Sequence, residues 1–92
     1  MLLRELHRVE RPRERLERSG AAALSDQELV ALLLGSGTRG RGVLELSSAV
    51  LAACPGGIDR ASLTELTAIE GGAPARAAAI VAALELGRRA AE

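Results

Sequence analysis

Two glycine turns, each running into a segment that carries arginine, are the parts of this sequence best suited to chemistry. The first is Gly35-Ser36-Gly37-Thr38-Arg39-Gly40-Arg41-Gly42, and the second is Gly71-Gly72-Ala73-Pro74, followed by Ala75-Arg76. A turn that leads into a helix N-terminus presents free backbone N–H groups and the positive end of the helix dipole, so it can hold a phosphate without any basic side chain. Glycine suits such a turn because a Cβ would keep the phosphate away and because these turns often need φ > 0. The chemistry to expect is recognition of a phosphate backbone rather than of base sequence. The candidate contacts are Gly35, Ser36, Gly37, Thr38, Arg39 and Arg41 from the first turn, and Gly71, Gly72, Ala73, Ala75 and Arg76 from the second. Arg76 sits in the first turn of its expected helix, where a positive charge does not help the helix, and this points toward a ligand.

Other chemistries lack their residues. Gly35-x-Gly37-x-x-Gly40 matches the dinucleotide-binding fingerprint by pattern, but it follows a helix rather than a strand and no βαβ unit surrounds it. The chain has one His, His7, and one Cys, Cys54. A lone His without a carboxylate or thiol cluster is no metal site, and a Cys with nothing nearby to lower its pKa reads as a small buried hydrophobe. No nucleophile–base arrangement and no glycine–Lys phosphate motif is present. The chain is expected to be no enzyme, and to need no metal and no cofactor.

The elements that must position the two turns read as helices. Pro12 opens a short helix to about Arg18, closed by Gly20. Its Arg11, Arg13, Arg15 and Arg18 alternate with Glu14 and Glu17, which predicts a solvated, self-paired face. Ser25-Asp26-Gln27-Glu28 is a capping box, with Leu24 and Leu29 at the staple positions. Leu29, Leu32 and Leu33 follow at helical spacing to about Leu34, where Gly35 stops the helix. The next helix starts near Val43, with Val43, Leu46 and Val50 inward and Leu51 beside them, and ends at Pro55-Gly56-Gly57. After a turn at Ile58–Arg60, Ser62-Leu63-Thr64-Glu65 gives a second capping box, and Leu63, Leu66 and Ile69 a short helix. Pro74 starts a long final helix whose inward stripe is Ala77, Ile80, Val81 and Leu84. Arg88 and Arg89 suit its C-terminal end.

The two halves echo each other. Ser25…Glu28-Leu29 aligns with Ser62…Glu65-Leu66, and Leu33-Leu34-Gly35-Ser36-Gly37 with Ile69-Glu70-Gly71-Gly72-Ala73. Each half reads as capped helix, glycine turn, helix, which is the signature of an internal repeat.

Composition sets the limits. The 92 residues suffice for one domain. Without Phe, Tyr or Trp, the core must be Leu, Val, Ile and Ala, and base stacking is disfavoured. Charge sums to zero, 12 basic against 12 acidic residues, but it is unevenly placed. Residues 1–20 carry six Arg against four Glu, residues 43–75 one Arg against four acids, and the first glycine turn two Arg and no acid. The single cysteine excludes an intrachain disulfide and fits a reducing, cytoplasmic setting. No apolar run reaches the roughly 20 residues of a membrane span, and Arg4, Glu5, His7 and Arg8 break any signal-peptide core.

Leu66-Thr67-Ala68-Ile69-Glu70-Gly71-Gly72-Ala73-Pro74-Ala75-Arg76-Ala77 resembles a helix-hairpin-helix motif, apolar-x-Gly-apolar-Gly-x-x-basic-Ala. It departs from that motif in placing Ala73 at the second glycine and Gly72 at the central apolar position. Arg11-Pro12-Arg13-Glu14-Arg15-Leu16, Ala23-Leu24-Ser25-Asp26-Gln27-Glu28-Leu29, Gly37-Thr38-Arg39-Gly40 and Ala83-Leu84-Glu85-Leu86-Gly87-Arg88-Arg89 follow in order. Together they give the chain from Arg11 onward a resemblance to the N-terminal domain of the bacterial RadC family, proteins associated with DNA repair. The resemblance implies a helical DNA-binding type of domain that precedes a metallopeptidase-like domain absent from this chain.

The expectation is therefore an all-α, compact bundle of about five helices. Residues 1–10 form a flexible N-terminal segment, and residues 11–92 a tandem helix-hairpin-helix domain with its two units related by a pseudo-two-fold. Its partner is the duplex DNA backbone, gripped weakly and without sequence preference. The alternative is a protein-interaction or dimerisation module, partnered by another protein or by the absent C-terminal domain. Neutral charge and Ala73 favour that alternative.

Overall fold

The computed structural model describes residues 11–37, 40–69 and 74–92. Among these the chain forms five α-helices and no strand: α1 (Pro12–Ser19), α2 (Asp26–Leu34), α3 (Val43–Ala52), α4 (Leu63–Thr67) and α5 (Pro74–Ala91). Short 3-10 turns lie at Ala21–Ala23 and Ile58–Arg60. The all-α expectation holds, and every helix starts within a residue or two of its sequence signal. The segment 1–10 lies outside the described residues, so its expected flexibility does too. No helix among the described residues is long and apolar enough to cross a membrane.

Helix starts are written locally. Ser25 Oγ accepts from the Glu28 N–H at 3.1 Å while the Glu28 carboxylate accepts from the Ser25 N–H at 2.9 Å, a complete capping box. Before α1, the Arg11 N–H donates to the Glu14 carboxylate at 2.8 Å. The second Ser-x-x-Glu differs from its expectation. Ser62 Oγ accepts from the Glu65 N–H at 3.1 Å, but the Glu65 carboxylate takes the Ser62 hydroxyl at 3.0 Å, where Glu28 takes a backbone amide. Pro74 at the first position of α5 gives up no hydrogen bond.

The core gathers Val30 and Leu34 from α2, Leu46 and Val50 from α3, Cys54 beyond it, Leu66 from α4, and Ala77 and Ile80 from α5. Val43, Leu51, Ile69, Val81 and Leu84 pack around it half-buried, as their spacing predicts. Leu63 of α4, by contrast, is exposed, and helix α2 departs furthest from its spacing. Val30, Ala31 and Leu34 face inward, whereas Leu29 and Leu33 are exposed. The run Leu29–Leu34 is apolar at every position, so periodicity offers no contrast and the packing of α3 and α5 decides the register. Ser47, fully buried, satisfies its hydroxyl by donating to the Val43 carbonyl at 2.6 Å.

Helix α2 packs against α3 and α4 against α5, and α5 also lies against α2. They are unequal pairs: α2 and α3 have nine and ten residues, α4 and α5 five and eighteen. Helix α1 buries no residue, in keeping with a solvated face, but its pairing differs from expectation. Arg15 reaches out of α1 to form an ion pair with Glu28 of α2 at 3.0 Å and donates to the Ala23 carbonyl at 2.6 Å.

Candidate nucleic-acid interface

Helix α2 ends at Gly35, whose φ of 81° is a conformation that favours glycine. Gly37 is glycine for a different reason. A Cβ there would stand 2.8 Å from the Gly42 carbonyl carbon and the Val43 nitrogen, and would run into the Arg41 carbonyl oxygen. The chain thus folds back on itself, with Gly37 against the start of α3. The close approach expected for a phosphate is spent here on the loop's own closure. Gly42 precedes α3 with no side-chain cap, so the first-turn amides of α3 receive none from that residue.

Arg76 stands in the first turn of α5 and faces this loop. Its Nη1 donates to the Ser36 carbonyl at 2.6 Å, its Nη2 to Ser36 Oγ at 3.2 Å, and both approach the Gly37 carbonyl at 3.4 Å. The partners lie forty residues away in sequence. The guanidinium sits just beyond the C-terminus of α2, at the negative end of that helix's dipole. That position accounts for a basic residue at the start of α5, which the sequence alone attributes to a ligand. Ala77 and Ile80, buried on the same helix, bring α5 close enough for the reach.

The bonds from Arg76 bring Ser36 and Gly37 together with the first turn of α5, where Ala75 is exposed. Arg41 lies at the far end of the same loop, with Nε 3.4 Å from the Glu45 carboxylate one turn along. Thr38, Arg39, Gly71, Gly72 and Ala73 lie outside the described residues. Among the described residues no group of three His, Cys, Asp or Glu side chains gathers to hold a metal.

Sequence reasoning missed two features of this region. Gln27 Nε2 donates to the Leu44 carbonyl at 2.9 Å and to Ser48 Oγ at 2.8 Å, stitching the start of α2 to α3. Leu29, Leu33 and Leu44 are exposed across the two helices. The uninterrupted apolar run of α2 was the available signal, since one helix face cannot bury all of it.

A family model described as UPF0758 N-terminal matches residues 3–78. A UPF0758 protein of Chloroflexus aurantiacus is 49% identical over 82 residues, covering 87% of this chain and 36% of that protein. One of Halalkalibacterium halodurans is 47% identical over 91 residues, covering 97% and 39%. One of Bacillus licheniformis is 48% identical over 91 residues, covering 97% and 41%. The chain thus spans about 40% of the length of these curated relatives. No solved structure matches it.

Proposed function

The chain belongs to the UPF0758 N-terminal family, and on that premise we propose that it is a non-catalytic, duplex-DNA-binding domain of a RadC-like, DNA-repair-associated protein. It grips the phosphate backbone through hairpin amides and nearby arginines, without reading sequence. The observation that carries this reading is the bonding of Arg76 to Ser36 and Gly37, which draws the start of the second hairpin's long helix onto the first hairpin's turn. Two phosphate-type turns in one domain suit the two strands of a duplex. The absence of aromatic side chains favours a duplex over a single strand, which is held by base stacking. The one cysteine is buried and free, in keeping with a reducing, cytoplasmic setting.

The test is fluorescence anisotropy of a labelled 20-base-pair duplex at two salt concentrations, with Arg39→Ala/Arg41→Ala alongside. With roughly three to five phosphates neutralised, binding is micromolar or weaker and its log–log salt slope is about −3 to −5. The double variant flattens that slope by up to about two. No binding at low salt overturns the reading for this domain.

A second reading, a protein-docking module, is favoured by the exposed Leu29, Leu33 and Leu44, apolar side chains beyond what the core uses. Its partner would be another protein or the remaining part of the longer relatives. Leu29→Glu/Leu33→Glu leaves duplex binding intact under the first reading and abolishes partner association under the second.

A further inference from the structure

We propose that Arg76 is a positioning residue: it acts on the nucleic acid through the Ser36–Gly37 segment it holds, rather than by touching a phosphate itself. The proposal rests on the duplex-binding reading and assigns the basic residue of its second hairpin a different task. Three observations carry it. The Arg76 guanidinium already spends Nη1 and Nη2 on the Ser36 carbonyl, the Ser36 hydroxyl and the Gly37 carbonyl. Those acceptors gather at the negative end of α2, where a cation is held electrostatically as well as by hydrogen bonds. Gly37 is also fixed independently of Arg76, because it lies against the backbone of Gly42 and Val43 with no room for a Cβ.

Ser36–Gly37 is thus held by a guanidinium fork and by the start of α3. A loop held this way presents its free amides in one arrangement, and ordering it before binding removes part of the entropic cost that binding would otherwise carry. The planar fork matters. Nη1 and Nη2 reach separate acceptors on Ser36 and share the Gly37 carbonyl, and a lysine ammonium, one compact charge on a flexible stem, cannot reproduce that geometry. A phosphate contact makes the opposite demand, since Lys serves a phosphate well as a point charge.

The experiment compares Arg76→Lys and Arg76→Gln with the parent chain in two measurements. The first is 15N NMR relaxation on the free protein, which reads backbone order at Ser36 and Gly37 directly. The backbone order parameter at Ser36 and Gly37 should fall from about 0.85 to about 0.6 in both variants, with Val30 and Leu46 in the core unchanged. The second is the salt dependence of binding to the 20-base-pair duplex. Both variants should weaken binding by a similar factor, roughly fivefold or more, with the salt slope shifted by well under one. Parent-like binding by Arg76→Lys beside weak binding by Arg76→Gln would overturn the proposal, as would a slope reduced by about one in Arg76→Gln. Unchanged order parameters at Ser36–Gly37, or a fall shared by the core amides, would overturn it equally. Should the parent chain bind no duplex, the duplex-binding reading fails, while the relaxation measurement still decides whether Arg76 holds the loop.

Discussion

Ser25-x-x-Glu28 and Ser62-x-x-Glu65 are the same four-residue signal, yet they do different things in the two halves. Glu28 uses one carboxylate oxygen for the Ser25 amide and the other for Arg15 of α1. Glu65 turns back to the Ser62 hydroxyl, and no ion pair to it occurs among the described residues. The first box is braced from a neighbouring helix and opens a nine-residue helix; the second opens one of five. A capping motif sets where a helix starts, while its neighbours set how much that start contributes. The sequence of the two turns differs as well. The repeat register aligns Gly37, pressed against the base of α3, with Ala73, so one half carries glycine where the other carries alanine.

The largest effect expected from this asymmetry is at Gly37. Gly37→Ala forces a methyl into backbone that cannot yield as a side chain would, and should cost about 2–3 kcal/mol. Gly42→Ala is the control, because a Cβ there meets nothing within 4 Å and φ is −71°; it should change stability by less than about 0.5 kcal/mol. Urea unfolding of the two variants decides the matter. Equal midpoints would mean that the loop relaxes freely, and the first turn would lose its distinction.

The next effect separates the two boxes. Glu28→Ala removes the return cap and the Arg15 pair, and should cost about 1–2 kcal/mol. Arg15 is more than a third exposed, so solvent keeps the ion-pair share small. Glu65→Ala leaves the Ser62 cap on the Glu65 amide in place, since that bond uses only the backbone N–H; the loss should be about 0.5 kcal/mol or less. Equal costs would show that the Arg15 brace contributes nothing beyond the shared motif.

These contrasts also mark how far the sequence could be read. Both caps, the glycine at 35 and Pro74 opening α5 are legible because each depends on residues within one turn of the chain. So is the inward stripe of α3, where Leu46 and Val50 stand apart from the exposed Glu45 and Ser48. The register of α2 is not legible, because Leu29 to Leu34 gives every face the same hydropathy. Arg15–Glu28 and Arg76–Ser36 join residues 13 and 40 positions apart, and no local pattern encodes such a meeting. The site was legible as a set of turns and arginines. What Arg76 does within it depends on where the end of α2 lies, which only the packing of α5 against α2 decides.

The smallest expected effect tests whether the missing brace on Glu65 reaches beyond its own helix. Cys54 is buried, and that burial raises its thiol pKa above the ordinary 9.0, with the Glu65 carboxylate raising it further. A cation paired to Glu65, as Arg15 is to Glu28, would weaken that second contribution. Glu65→Gln should therefore lower the thiol pKa slightly while leaving it above the ordinary value, because burial is the larger cause. In maleimide labelling across pH 8–10, the variant should react at most about threefold faster than the parent, its pH profile shifted to lower pH. The linkage has a definite sign. A thiol whose folded pKa exceeds its unfolded one keeps its proton in the fold after the unfolded chain has lost it. The contribution of this thiol to stability is thus level below about pH 9 and falls as pH rises from there through the folded pKa. Glu65→Gln should narrow that window from its upper side. An unshifted labelling profile would mean that solvent screens Glu65 from the thiol, and the asymmetry between the boxes would then end at their own helices.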